Sequence, residues 1–226
     1  MNTHILTTQE LFEPGHTRAW AQLSGYTYPW EVLADIRDII REIGSTLPPE
    51  EYDHPEEGIW IAKTATVSPT AYIGAPAIIG AGTEVRQGAF LRGAALVGDG
   101  CVVGNSVELK NCILFDGVQV PHYNYVGDSI LGHKAHMGAG AVTSNVKSDK
   151  TLVVVRAGEE AVETRLKKMG AILGDRVEVG CNSVLNPGTV IGMDSRVYPL
   201  SSVRGTIPPR CIFKSGKGCE VVERRD

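Results

Sequence analysis

The sequence predicts an all-β solenoid, a parallel β-helix of hexapeptide repeats, on three observations. An aliphatic residue recurs at every sixth position without a break, at Ile61, Val67, Ile73, Ile79, Val85, Leu91, Val97, Val103 and Leu109. Four places after each beat stands a mostly small residue, as at Ala65, Ala71, Ala77, Thr83, Ala89, Ala95 and Cys101. Glycine often follows the beat directly, as Gly74, Gly80, Gly98 and Gly104 do. An amphipathic helix needs apolar spacings of three and four, so a sustained six is a strand signal. Six is also even, and side chains alternate along an extended chain, so every beat returns to the same face. Glycines and small residues at fixed offsets allow a sharp bend between short strands. Coils of short parallel strands that stack and bury the beat satisfy all three observations, and a hexapeptide period is a signature of that architecture.

The beat defines the organisation. After a five-residue step it resumes at Leu114, Val120 and Val126, and after another at Leu131 and Met137. A second run follows at Leu173, Val179, Leu185, Ile191, Val197 and Val203, so the solenoid is expected over residues 59–208. Between the runs lies an insertion, residues 143–172; a long excursion from a regular solenoid reads as functional. Residues 1–58 form an N-terminal helical segment and linker. Within them, "PWEVLADIRDIIREIG" places Val32, Leu33, Ile36, Ile39, Ile40 and Ile43 on one helical stripe, with Pro29 suited to its first turn and Gly44 to its end. The expectation is a helix packed across an open end of the solenoid, where uncapped strand edges are a liability. "STLPPEEYDHPEEG" reads as an exposed linker and residues 209–226 as a C-terminal tail.

Composition excludes several function classes. The 226-residue chain has a net charge of -4, which argues against nucleic acid as a partner, since phosphate binding needs a basic surface. No apolar run is long enough to span a bilayer, and "MNTHILTTQE" lacks the plan of a secretion signal. Cys101, Cys112, Cys181, Cys211 and Cys219 are scattered with no C-x-x-C pair, which reads as reduced thiols in a cytoplasm rather than a zinc cluster or a disulfide frame.

Charged and aromatic residues interrupt the repeat in one region. "PHYNYVGDSILG", residues 121–132, keeps the beat at Val126 and Leu131 yet crowds His122, Tyr123, Asn124 and Tyr125 beside it. If three hexads make one coil, residues 18 apart stack, which sets Lys110 above or below Arg92 and invites an anion such as a phosphate between them. The bland alternative is two solvated surface cations. His122 is the natural acid–base candidate, because imidazole changes charge near neutral pH. Tyr125 close by and Asn105 one coil away make its surroundings polar. His122, His133 and His136 could instead be read as zinc ligands, but their spacings do not map onto one stacked column. "MGAGAV" and "IGAGTEV" are corners of the repeat and not phosphate loops, which need a strand–loop–helix setting.

"VGNSVELKN", "PHYNYVGDSILG", "MGAGAVTSN" and "VGCNSVLNPGTVIG" carry a family resemblance, above all the H-x-x-Y-x-G-D stretch followed by G-A-G and an Asn. The chain resembles the acetyltransferase domain of bifunctional N-acetylglucosamine-1-phosphate uridyltransferase/glucosamine-1-phosphate acetyltransferase. It resembles still more the C-terminal domains of archaeal sugar-1-phosphate nucleotidyltransferases. The resemblance implies a left-handed β-helix and an acetyl-CoA-dependent N-acetyltransferase acting on an amino-sugar 1-phosphate. It implies His122 as general base, Tyr125 as the residue that positions the amine or polarises the carbonyl, and Asn145 as holder of substrate or oxyanion. Arg92 and Lys110 fall where the family binds the sugar phosphate, while Ala139, Cys181 and Pro199 fall where the coenzyme lies. His136 stands where the bacterial enzyme has an Asn, and Lys150 is one step off the family's lysine; both bear on substrate binding. The resemblance further implies a homotrimer with sites shared between subunits. Nothing in the sequence resembles the nucleotidyltransferase domain. The alternatives are a non-catalytic, sugar-phosphate-binding or scaffolding trimer that partners a separate nucleotidyltransferase, and a metal-dependent hydratase on the same fold.

Overall fold

The computed structural model describes residues 4–215 and 220–223. From Ile59 onward the chain winds into a three-sided prism, each coil giving one short parallel strand to each side. The first face stacks Ile59–Ala62, Ala77–Ile79, Ala95–Val97, Ala171–Leu173 and Thr189–Ile191. The second stacks Thr66–Val67, Glu84–Val85, Val102–Asn105, Gln119–His122, His136–Met137, Glu178–Val179 and Arg196–Val197. The third holds Tyr72–Ile73, Phe90–Leu91, Val142–Thr143, Val184–Leu185 and Ser202–Val203. Two longer strands, Glu108–Leu114 and Tyr125–Leu131, turn the corner from the third face into the first. The fold is the left-handed parallel β-helix of hexapeptide repeats expected from the sequence. The beat is its core: Val85, Leu91, Val97, Val103, Leu109, Leu114, Val120, Val126, Leu131 and Met137 are all buried.

The five-residue steps have a physical reading. Coils pair in a register of 18 where the hexads are complete, with Ile79 opposite Val97 and Leu91 opposite Leu109. Around the two long strands the register is 17, with Leu109 opposite Val126 and Leu114 opposite Leu131. There the corner is turned by a single left-handed residue within a continuous strand, Asn111 (φ 50°) in one coil and Asp128 (φ 48°) in the next. Asn and Asp accept this conformation more readily than other non-glycine residues. The shortened corner therefore stacks a polar pair at one edge of the prism.

The N-terminal segment corrects the sequence reading: it lies along the first face instead of across an open end. Ile78, Leu96, Ile113, Ile130, Ile172 and Val190 are buried, although the alternation of a strand turns them away from the interior beat. The first face is thus apolar on both sides, which is why its strands read as unbroken runs such as "AII", "ALV", "CIL" and "AIL". Leu11, Phe12, Leu23, Trp30, Leu33, Ile36 and Ile40 are buried in the same cluster. Polar tethers run along the segment. The Glu13 amide donates to Asp175 and its carboxylate receives Arg176, His16 stacks on His133 with ring centroids 3.7 Å apart, and Arg18 forks onto Asp99 at 2.8 and 3.2 Å. The helix expected over 29–44 is two pieces, a 3-10 helix Pro29–Ala34 and an α-helix Ile36–Ser45, the latter against the first-face strands of the early coils.

Beyond Thr143 the chain leaves the prism at the corner between third and first faces and returns at Gly170. This excursion forms an antiparallel hairpin, Val154–Ala157 with Glu160–Glu163, anchored by buried Val153, Val155 and Ala157. Cys211–Lys214 adds a strand to the second face and Glu220–Glu223 pairs with it, so the region expected to be a tail extends the sheet; Cys219 lies outside the described residues. No described helix is long and apolar enough to cross a membrane.

Candidate active site

At the shortened corner the structure gathers a hydrogen-bonded cluster around Asp128, which is only 4% exposed. Lys110 Nζ donates to both carboxylate oxygens at 3.0 Å, and Asn111 Nδ2 donates to Oδ1 at 3.0 Å. Asn145 Nδ2, from the start of the insertion, donates to Oδ2 of Asp128 and to the Tyr125 hydroxyl at 3.1 Å. Tyr125 reaches this cluster because residue 127 is glycine: a Cβ there would overlap the Tyr125 ring and hydroxyl. Burial, and then the nearby Asp128 carboxylate, push the Tyr125 phenol above its ordinary value. The phenol therefore keeps its proton at neutral pH. Since its oxygen accepts from Asn145, that proton is free to be donated outward.

Arg92 and Lys110 stack as the spacing requires, because Leu91 pairs with Leu109 in the strand register. The open pair of cations does not follow, however. Arg92 Nη1 is bonded to Glu108 Oε1 at 2.7 Å and Lys110 to Asp128, so each positive charge has its own carboxylate. Both face a cavity of about 350 Å³ closed on its other side by Leu33, Ala34 and Arg37 of the N-terminal segment. Among the described residues Arg37 has no carboxylate partner, and it supplies the unbalanced positive charge of the cleft.

A second group lies along the edge between second and third faces. The Ala139 carbonyl accepts the Asn182 amide at 2.8 Å and the Cys181 carbonyl accepts the Leu200 amide at 2.9 Å, placing Ala139, Cys181 and Pro199 in one column. His122 continues that column one coil on, its carbonyl accepting the Gly140 amide at 3.0 Å. It is opposite Asn105, and its exposed imidazole stands at the end of the strand that precedes Tyr125. Apolar surface is exposed along this edge at Tyr123, Tyr198 and Leu200, the last 76% exposed.

The structure does not gather every expected residue. His136 sits mid-face, beside Gln119 and Glu178, with Nδ1 2.8 Å from Glu178 Oε2. Lys150 is exposed in the insertion and has no hydrogen bond to the Asp128 cluster. The three histidines go separate ways: His133 stacks on His16, His136 faces Glu178 and His122 stands on the edge. No group of three or more metal-ligating side chains converges among the described residues.

A model of one protein family, the GMPPB C-terminal domain, matches residues 82–197, just over half of the chain. The chain belongs to the GMPPB C-terminal domain family. The matched stretch of this GMPPB C-terminal domain holds the shortened corner, Arg92, Lys110, His122, Tyr125, Asp128 and Asn145. Over 109 residues it is 33% identical to a bifunctional sugar-1-phosphate nucleotidylyltransferase/acetyltransferase of Sulfurisphaera tokodaii, covering 48% of this chain and 27% of that protein. Over 91 residues it is 40% identical to the bifunctional protein GlmU of Methanococcus aeolicus, covering 40% of this chain and 22% of the relative. The chain thus spans about a quarter of the length of these curated relatives. Among solved structures, a perosamine N-acetyltransferase mutant from Caulobacter crescentus, in complex with CoA and GDP-perosamine, aligns with 72% of this chain and 55% of its own at 18% identity and a TM-score of 0.38.

Four polar residues of this corner have no role in the sequence reading, Glu108, Asn111, Asp128 and Arg37, although Asp128 closes the H-x-x-Y-x-G-D stretch. The first three lie 16 to 18 positions from Arg92, Lys110 or each other, and the five-residue steps at Leu109–Leu114 and Val126–Leu131 bracket Asn111 and Asp128. Those steps were the available signal. Arg37 had none, because only the docking of the N-terminal segment brings it there.

Proposed function

We propose that the chain is an acetyl-CoA-dependent N-acetyltransferase acting on an amino-sugar 1-phosphate. The observation that carries this reading is the placement of Tyr125. Its phenol is fixed by Asn145 beside the cationic cleft of Arg37, Arg92 and Lys110, while His122 ends the strand just before it. In this reading the sugar phosphate enters that cleft, drawn by the unbalanced charge of Arg37 and held by Arg92 and Lys110. Asn145 fixes the substrate, and His136 and Lys150 reach it only from outside the cluster. The column of Ala139, Cys181 and Pro199, with exposed apolar surface beside it, suits the thin arm of acetyl-CoA leading up to His122. His122 takes a proton from the amine as nitrogen attacks the thioester carbonyl; a C–N bond forms, the C–S bond breaks and the thiolate leaves with that proton. Tyr125 donates its phenolic proton in a hydrogen bond to the carbonyl oxygen as negative charge develops there.

The name of the Sulfurisphaera tokodaii relative, which couples sugar-1-phosphate nucleotidylyltransferase to acetyltransferase, supports acetyl transfer as the reaction class and a sugar 1-phosphate as the substrate class. A homotrimer with sites shared across subunits belongs to the same proposal, as does a cytoplasmic location. The test is thiol release from acetyl-CoA, with glucosamine 1-phosphate and galactosamine 1-phosphate as acceptors, in wild type and His122→Ala. Release that depends on one sugar and is lost in the variant supports the proposal. Sugar-phosphate binding without any release would instead favour the non-catalytic trimer that partners a separate nucleotidyltransferase.

A further inference from the structure

A second cationic cavity, of about 470 Å³, lies on the other side of the insertion between its hairpin and the later coils. Lys147, Arg156 and Arg204 line it, together with Gly158, Gly205 and Thr206, and no carboxylate does. We propose that this cavity is a binding site for a phosphate or diphosphate group, separate from the cleft at Arg92 and Lys110 and independent of the acetyl-transfer reading.

The two arginines are held but not neutralised. In the strand Val154–Ala157, alternate residues Val153, Val155 and Ala157 are buried while Val154, Arg156 and Gly158 line the cavity. The strand seats tightly on the prism because residues 188 and 205 are glycines with φ of 82° and 74°. A Cβ at Gly188 would stand 3.0 Å from the Val154 carbonyl, and one at Gly205 would stand 3.1 Å from the Arg156 carbonyl. Arg204 is the neighbour of Gly205, so this close approach brings Arg156 and Arg204 to the same cavity. Arg18, Arg86, Arg92 and Arg176 each have a carboxylate within hydrogen-bond reach, whereas Arg156 and Arg204 have none among the described residues. Lys147 donates to the Thr151 hydroxyl and lies 3.4 Å from Asp149, which leaves its charge only partly answered.

A second observation is independent of charge. The Thr206 hydroxyl oxygen is buried and has no hydrogen-bond partner, although the residue lines the cavity. A buried polar atom without a partner is costly, and rotation of the Thr206 side chain about χ1 would let a ligand oxygen in the cavity remove that cost. Two planar guanidinium forks, an ammonium and a hydroxyl suit a group bearing several anionic oxygens; an arginine fork matches carboxylate and phosphate alike, and three cations without a lining carboxylate favour phosphate, the more highly charged of the two. The hairpin that builds the wall is the insertion itself, so the excursion from the solenoid gains a binding role.

The test is isothermal titration of the full chain at constant ionic strength with inorganic phosphate, pyrophosphate and uridine diphosphate, with citrate as the carboxylate comparison. Wild type is expected to bind phosphate or pyrophosphate saturably. Arg156→Gln combined with Arg204→Gln is expected to weaken that binding at least tenfold, and Thr206→Val by a smaller factor. Both arginines are exposed, so an unchanged melting temperature will show that the double variant folds. Phosphate binding that survives Arg37→Gln combined with Arg92→Gln, but not the Arg156/Arg204 double variant, separates this site from the sugar-phosphate cleft of the proposed function. Tighter binding of uridine diphosphate than of pyrophosphate would assign the phosphate to a nucleotide, and equal binding would assign it to the free anion. The proposal is overturned if the double variant binds as well as wild type, or if citrate binds more tightly than every phosphate tested.

Discussion

Replacing Asp128 by alanine is the most informative single change at the corner. It would strand an ammonium and two amides whose common acceptor is a carboxylate only 4% exposed. Breaking a buried ion pair by removing one partner costs about 3–5 kcal/mol. The Lys110 side chain is 26% exposed, however, so water can reach its ammonium and part of that cost is recovered. A loss of about 2–3 kcal/mol remains, and for a chain of this size each kcal/mol moves the melting temperature by about 2–4 °C. The expected shift is therefore a drop of about 4–12 °C, read by calorimetry or circular dichroism. A paired control separates charge from packing: Asp128→Asn with Lys110→Met removes both charges and keeps an acceptor for the asparagines. It should return to within about 1 kcal/mol of wild type while losing the cleft's hold on sugar phosphate. If Asp128→Ala melts within 1 °C of wild type, the cluster contributes nothing to the fold, and the argument that Lys110 is already neutralised in the free protein fails.

Further outcomes are expected elsewhere. His122→Ala should melt like wild type, because the imidazole is exposed, and should lose about 10²–10⁴ in acetyl-transfer rate if it serves as general base. Gly104→Ala should fail to fold or be recovered only in trace soluble yield, because a Cβ there would overlap the Pro121 carbonyl beside His122. Burial pushes the thiols of Cys101 and Cys112 up to about 12, so at pH 8 they remain protonated. Labelling at that pH, mapped by mass spectrometry, should modify exposed Cys181 and spare Cys101 and Cys112 until denaturant is added. Ile36→Ala, on the buried side of the N-terminal segment, should cost about 2–5 kcal/mol, checked by denaturant unfolding.

The solenoid was legible because one rule, a beat of six, repeats along the chain and each beat is buried for the same reason. The stacking of Arg92 on Lys110 was legible from the same arithmetic. The partners of those cations were not: a shortened hexad changes the register from 18 to 17, and Glu108 and Asp128 become neighbours only through the strand pairing. The N-terminal segment shows a different limit. Its stripe of Ile36, Ile40 and Ile43 marked an amphipathic element, but its destination was written in the first-face strands, where the residue before each beat is apolar too. A half-buried strand alternates, a fully buried one does not, and that contrast among the three faces was the available clue.

The course of that segment changes how the whole repeat comes apart. Its start bonds to Glu160 in the hairpin, and it then meets Asp175, His133, Asp116 and Asp99 before its helix ends with Gly44 against Trp60 of the opening coil. A bare stack of coils is quasi-one-dimensional and frays from its ends, one repeat at a time. Here a single stretch of chain touches coils on both sides of the insertion, so the opening coil cannot peel away without disturbing the segment that also holds distant coils. The longitudinal strap couples the coils it spans, from Trp60 to Asp175, so that they open together.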